Sequence, residues 1–394
     1  MLRKRLILFA AVAIASFQPS FAQNAAPQNF GAFLAALWPD AQKRGVSRET
    51  FDGAIRGIAP DAEVLRLTQS QPEYVRPIGD YVRNRLTPNL IATGKRHAEK
   101  WAKTLDAVER KYGVDKEIIV AIWGLETGYG AFTGGKDVIR SLATLAHARY
   151  RGDFFRNELL AAFEVLEAEH ITREKMRGSW AGAMGQPQFI PSSFLKFAVD
   201  FSGDGRRDIW SDVPDVLASI GNYLRQHGWQ PGQPWGYEVV IPKGFDYRIS
   251  RGTFAEWYAR GVRRADGGKF PAEGDGILFF PSSASGPGFV VTGNYDAIKR
   301  YNLSDAYSLT VAGTADRLRD MPLFRGKWPE VIPLDREKRI RMQTLMQAKG
   351  YPVSNVAGRI DFDLRDQIRI LQDKFGLLPD GHPNETFLAK LEAL

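Results

Sequence analysis

The 394-residue chain contains no cysteine. No disulfide can staple it, even in an oxidising compartment where such bonds persist. A lipid anchor built on a cysteine just after a leader is excluded for the same reason. Long apolar runs are also missing: the most apolar stretch near the start, Leu6 to Phe17, is too short to span a bilayer comfortably. The formal net charge is +8, but no concentrated Lys/Arg tract accompanies it. Mild basicity attracts polyanions in general and does not single out nucleic acid. No internal repeat and no low-complexity segment is present, so neither a solenoid nor a disordered tract is indicated.

What is present fits a soluble globular protein, with 44% hydrophobic and 25% charged residues. The length exceeds one compact core and predicts two or three domains. Residues 1–22 read as a secretory signal. Arg3, Lys4 and Arg5 form its charged start, and Ser20, Phe21 and Ala22 supply small residues for cleavage before Gln23. An uncleaved anchor is the alternative. Removing the leader takes away three of the 53 Lys and Arg residues and none of the 45 Asp and Glu, so the remainder stays basic.

Residues 30 to about 230 read as mostly helical, with segments at 30–43, 48–56, 95–112, 116–125, 153–168 and 213–226. Between 235 and 292 the pattern changes. Glu238–Pro242, Gly276–Phe280 and Gly288–Thr292 are short β-rich runs bounded by Pro and Gly, which predicts a small strand-containing insertion. Helix resumes over 309–318. Pro322, Gly326, Pro329 and Pro333 mark a linker over 320–333. Residues 334–394 carry their own apolar periodicity at Ile340, Leu345, Met346, Ile368, Ile370, Leu371 and Phe375.

Two stretches carry the chemistry. The first is AIWGLETGYG, Ala121–Gly130. Ile118, Ile119, Ile122 and Leu125 recur at helical spacing, and Glu126 shares a face with Ile122 and Ile119. Gly128 and Gly130 then end the helix and permit close approach of the backbone. A carboxyl group in apolar surroundings resists ionisation, so its pKa rises. That suits a general acid for a glycosidic oxygen. A solvated glutamate at the rim of a core helix is the plainer alternative. The second stretch is SWAGAMGQPQFIPSSF, Ser179–Phe194. Its small residues admit a polymer, its amides and hydroxyls match sugar hydroxyls and N-acetyl groups, and its aromatics offer flat apolar faces. A tight helix–helix contact is the alternative here.

Together the two stretches resemble the lytic murein transglycosylases, the family typified by membrane-bound lytic transglycosylase B. Those enzymes carry a catalytic Glu in an A-I-x-G-x-E-T-x-[YW]-G run, followed by G-A-M-G-x-x-Q-F-x-P-S-S-[FY]. The likeness extends with gaps over roughly residues 30 to 310. It implies an α+β fold with a mainly helical, lysozyme-like catalytic domain over 23–319. It also implies a periplasmic enzyme acting on peptidoglycan glycan strands, and Glu126 as its catalytic residue. Ser179 and Gln188 match positions that bind the N-acetyl and sugar groups. Tyr81, Tyr223, Tyr295 and Tyr301 match cleft tyrosines, each of which could instead be ordinary packing. Met184 and Phe189 lie within the second motif and join the expected binding set. Arg151 matches a family arginine, although Gly152 stands where members often carry a second one.

Glycosidases usually employ two carboxylates, yet neither motif contains a second acid. A substrate that supplies its own nucleophile removes that need. The C6 hydroxyl of N-acetylmuramic acid can attack its own C1, giving a 1,6-anhydro product. Glu126 would protonate the leaving oxygen and then accept the C6 hydroxyl proton. No catalytic cofactor is required. A hydrolytic muramidase and an inactive wall-binding scaffold are the competing readings.

The run DFSGDGRRDIWSD over 200–212 resembles an EF-hand loop. Asp200, Ser202, Asp204 and Asp208 fall at oxygen-ligand places, with the Arg206 carbonyl at the seventh and Gly205 at the turn. Ser211 stands where a bidentate Glu belongs, and Asp215 aligns with a family acid that could substitute. This predicts a weak structural calcium or sodium site, the alternative being a turn-rich loop without metal. The terminal segment resembles the three-helix peptidoglycan-binding domain, on Gly350–Pro352, Gly358–Asp361, Ile370–Leu377 and Leu378–Gly381. Leu371 departs from the usual Phe, and Asp361–Leu364 from the usual glycine–threonine chemistry. The expected partners are glycan strands and other wall enzymes, with no nucleic acid, and the expected state is a monomer.

Overall fold

The computed structural model describes residues 29–68 and 77–394. The leader expected over 1–22 lies outside the described residues. The centre of the molecule is the helix Lys116–Thr127, in which every residue from Ile118 to Gly124 is buried. A helix apolar on all sides belongs in a core. The helices Pro88–Lys100, Ala102–Tyr112, Val213–Gln226 and Asp305–Leu318 pack around it. A second group, Val138–His147 with Phe154–Glu167 and Pro191–Phe197, completes the helical body.

Local chemistry sets these boundaries. Asp137, Asp212 and Ser304 cap three of the helices by accepting backbone amides, and Thr87 does so ahead of Pro88 at the first helical position. Gly113 at φ +70° and Gly128 at φ +60° close Ala102–Tyr112 and Lys116–Thr127 in left-handed turns. The last long helix of the body begins at Asp305, four residues before the periodicity becomes readable at Leu309.

The strand-containing insertion is a five-stranded antiparallel sheet. Its order is Arg251–Thr253, Asp275–Phe279, Gly288–Val291, Gly236–Val240, Arg263–Arg264. Val290 pairs with both Leu278 and Tyr237. The three expected strands form within two residues of their predicted ends. The two edge strands are too short and polar to show an alternating pattern. Leu278, Phe280 and Val290 face a local core with Phe254 and Trp257, whereas Phe279, Phe289 and Val291 join the core of the helical body. The period of two therefore welds the insertion to the body through alternate residues. The fold is α+β and mainly helical.

Residues 334–394 form three helices, Arg336–Ala348, Phe362–Lys374 and Glu385–Glu392, around Met342, Met346, Leu364, Ile368, Leu371 and Phe387. The stretch before them is irregular, as its prolines require, but it is not a free linker. Phe324 and Trp328 pack against the main core. Trp328 fills the space where a Cβ at Gly79 would collide with it. Glu238 accepts the amides of Arg325 and Gly326 at 2.7 and 2.6 Å. The expected separation of the terminal helices from the body therefore gives way to docking. Two aromatic side chains in the strap bury more favourably than they hydrate. Phe362 itself belongs to the main core, against Phe279 and Tyr295.

Candidate active site

Glu126 occupies the last turn of Lys116–Thr127, and the turn after it is over-determined. Gly128, Tyr129 and Gly130 are consecutively left-handed, at φ +60°, +64° and +83°. For Tyr129 this conformation costs on the order of 1 kcal/mol. Its hydroxyl donates to the Leu90 carbonyl at 2.8 Å, and its ring stacks on His97. Gly94 and Gly124 leave room for that ring, since a Cβ at either would come within 2.5 Å of Tyr129. A Cβ at Gly130 would collide with the Gln186 amide. Gln186 ties the helix to the second motif. Its Oε1 accepts from the Trp123 indole at 2.8 Å, its carbonyl accepts from the Thr127 hydroxyl at 2.9 Å, and its Nε2 donates to the Trp210 carbonyl at 3.0 Å.

Glu126 is half-buried, and its Oε1 accepts a hydrogen bond from the Tyr307 hydroxyl at 2.6 Å. Tyr307 is only 5% exposed and lies in the first turn of Asp305–Leu318. Burial, reinforced by the charge of Glu126, pushes its phenol well above the usual tyrosine value, so it remains a donor across the working range. Tyr301 is raised for the same reasons, and its hydroxyl donates to the Pro187 carbonyl at 2.6 Å. Tyr81 also acts electrostatically on the Tyr307 hydroxyl. The ring of Tyr223 lies 4.7 Å from Tyr301, and Phe189 contacts both. Burial pushes the Tyr223 phenol up to about 12, and its hydroxyl donates to the Arg300 carbonyl at 2.6 Å.

Other expected contacts fall elsewhere. Tyr295 is fully buried, its ring against Trp235, Phe279 and Phe362 and its hydroxyl near the Asp305 carbonyl. On the helix Gly293–Tyr301 it precedes Tyr301 by six residues, which puts the two on different faces. Met184 is fully buried and Phe189 is 2% exposed. Their backbones exchange hydrogen bonds at 2.8 and 3.0 Å, so they shape the motif loop from within. Arg151 is exposed in a left-handed turn, its guanidinium over the Tyr150 ring. Among the described residues no hydrogen bond, ion pair or ring contact joins it to Glu126. Ser179 and Gln188 are half-buried. The Ser179 Oγ accepts the Ala183 amide at 3.0 Å, and Gln188 donates to the carbonyls of Thr133 and Gly185.

Sequence reading passed over Tyr307, Gln186 and Phe132. The Phe132 amide donates to the Thr127 carbonyl at 3.0 Å, which anchors the loop after Glu126, while its side chain is 76% exposed. A large exposed aromatic on a fixed loop was readable only as one Phe in a glycine-rich run.

The 200–215 loop is organised around its carboxylates. Asp215 is fully buried and accepts the amides of Phe201, Ser202 and Asp208 at 2.7, 3.1 and 2.8 Å. Asp200 accepts the amides of Gly203 and Gly205. Asp204 accepts the Arg206 amide and pairs with its guanidinium. Asp208 accepts Trp210 and Ser211. Among the described residues no three His, Asp or Glu side chains are grouped to hold a metal ion. As arranged, the carboxylates, Asp215 above all, accept backbone amides of the loop itself.

A central helix ending in a tyrosine-held glutamate, with a glycine- and amide-rich loop bracketed to it, defines the class. The description "Transglycosylase SLT domain" matches residues 29–316, and the chain belongs to that family. Among named relatives it is 33% identical over 223 residues to membrane-bound lytic murein transglycosylase B of Escherichia coli K12. That match covers 53% of this chain and 62% of the relative. The crystal structure of SltB3 from Pseudomonas aeruginosa in complex with NAG-anhNAM-pentapeptide superposes with a TM-score of 0.83 at 41% identity, covering 93% of this chain and all of that one. Escherichia coli Slt35, solved in complex with calcium, gives a TM-score of 0.61 at 25% identity over 75% of this chain and 98% of that one. Among the described residues no helix is long and apolar enough to cross a membrane.

Proposed function

We propose that this protein is an exported lytic transglycosylase. It cleaves the β-1,4 bond from N-acetylmuramic acid to N-acetylglucosamine in peptidoglycan and leaves a 1,6-anhydromuramic end. Glu126 is its single acid and base. In the first step the Glu126 carboxyl protonates the glycosidic oxygen as the C1–O bond breaks. In the second the C6 hydroxyl oxygen bonds to C1 and its proton passes to the Glu126 carboxylate, which restores the enzyme without net use of water. The 2-acetamido carbonyl stabilises the cationic centre between the two steps.

The observation that carries this reading is the pairing of Glu126 with Tyr307 inside a tyrosine wall. The titratable groups acting on the Tyr301 and Tyr307 hydroxyls include Glu126 and other tyrosines. A phenol that stays protonated can hold one carboxyl oxygen in either protonation state of the acid. Support also comes from SltB3, whose structures hold NAG-anhNAM-pentapeptide and NAG-NAM-pentapeptide. Ser179, Gln188, Tyr81, Tyr223 and Tyr301 are the proposed sugar contacts, and Phe132 is a stacking platform at the rim. The 200–215 loop is given a structural role held by its own amides. Residues 334–394 are given a role in wall binding. Glu126→Gln keeps the shape and removes the transferable proton. Loss of turnover on purified sacculi with an unchanged fold supports the proposal, and retained turnover contradicts it.

A further inference from the structure

We infer that the C-terminal three-helix unit sets the geometry of the acid, through Asp305 as a positioning residue. Asp305 opens the helix whose third residue is Tyr307. Its two carboxylate oxygens are taken by cations from two sides. Lys299 Nζ lies 2.6 Å from Oδ1, and Arg365 Nη2 of the terminal unit lies 2.7 Å from Oδ2. The three side chains are 6%, 4% and 13% exposed for Lys299, Arg365 and Asp305. Arg365 is itself fixed, donating to the Gly381 carbonyl at 3.0 Å and lying over the Phe279 ring. Lys299 reaches the Ile360 carbonyl of the same unit at 3.4 Å, and its ammonium lies over Phe362.

One turn of helix thus has two attachments. Its outer side is held by a buried ion trio spanning both units, and its inner side presents the Tyr307 hydroxyl to Glu126. Arg369 reinforces the joint by donating to the Leu278 carbonyl at 2.8 Å, and Asp380 by accepting the Ala284 amide at 2.9 Å. A buried ion pair is poor evidence for stability in itself, because desolvation offsets the attraction. It does fix direction, and Asp305 lies two residues before Tyr307, whose hydroxyl makes the 2.6 Å bond to Glu126. The terminal unit is on this account a wall of the catalytic body.

The inference rests on the proposal that Glu126 is the acid, and its test separates the two. Arg365→Gln in the full chain removes one cation and leaves the Lys299–Asp305 pair in place, and a thermal melt establishes that the variant is folded at the assay temperature. On short soluble glycan fragments that need no wall binding, kcat should fall about tenfold with KM within about twofold. In a Tyr307→Phe background Arg365→Gln should lower kcat no further, because residues acting through one contact are non-additive. Arg341→Ala, on the outer surface of the same unit, should leave kcat unchanged. Wild-type kcat in Arg365→Gln, or losses that multiply fully in the double variant, overturns the inference. So does recovery of kcat at a temperature well below the melting midpoint, which marks a merely stabilising contact. Failure of the catalytic proposal reads differently: Glu126→Gln would stay active whatever Arg365 does.

Discussion

Replacing Tyr307 by Phe removes one hydroxyl and keeps the ring that fills the core beside Glu126. The lost bond is 2.6 Å long and ends on a carboxyl oxygen in a half-buried setting. Hydrogen bonds to charged groups contribute about 1.5–3 kcal/mol. If the bond is needed to aim the acid in the transition state, its loss slows turnover by roughly 10- to 100-fold. KM should stay within about threefold, since an interaction that acts on the acid belongs to the chemical step. The melting midpoint should change little because no cavity larger than an oxygen opens. The assay is initial-rate release of products from soluble glycan fragments across a substrate range, alongside a thermal melt. Wild-type kcat, or a loss carried wholly by KM, refutes the assignment of Tyr307.

Phe132→Ala should raise KM several-fold on soluble glycans with little change in kcat or melting, and Phe132→Trp should restore it, whereas equal behaviour of Ala and Trp variants removes the stacking role. Asp215→Ala removes the buried acceptor of three partly buried amides, so it should cost about 3 kcal/mol and lower the melting midpoint by several degrees. Millimolar calcium should leave wild-type melting nearly unchanged. A rise of several degrees that Asp200→Ala/Asp204→Ala abolishes would put a cation in the loop. Burial pushes the Asp316 carboxyl up to about 6, although the Trp235 indole and Arg319 pull it down. A carboxyl raised in the folded state favours folding below its unfolded pKa, and the advantage is lost as pH rises through the folded value. Stability should therefore fall by about 3 kcal/mol between about pH 4 and 7 through this group, and Asp316→Asn should flatten that slope in denaturant titrations. An unchanged slope refutes it.

The helical body and the central strands were legible because each is written in local periodicity. Lys116–Thr127 carries a continuous apolar run ending at Gly128, and Gly288–Val291 is a short β-rich run between turn residues. Glu126 was legible through the resemblance carried by both motifs together, since an acid at the end of that run is by itself as readily a solvated rim glutamate. Tyr307 was not, since it sits 181 residues away and its helix opens with a polar turn, Asp305, Ala306, Tyr307, that hides the start. Tyr295 faces the core, a placement that motif matching does not give because it knows the residue type and not the helix face. The 320–333 segment was read as a linker from its prolines, which report the absence of regular structure but not whether Phe324 and Trp328 are buried. The docking of the terminal helices depends on Asp305, Lys299 and Arg365, charges whose partners no spacing reveals.

The most direct test of the central claim is mass spectrometry of the products released from purified sacculi in isotopically heavy water. The wild-type protein should give disaccharide-peptides ending in 1,6-anhydromuramic acid, one water lighter than hydrolysis products and free of heavy oxygen at C1. Glu126→Gln should give none. Reducing-end products carrying the label, or anhydro products from the Gln variant, would contradict the account.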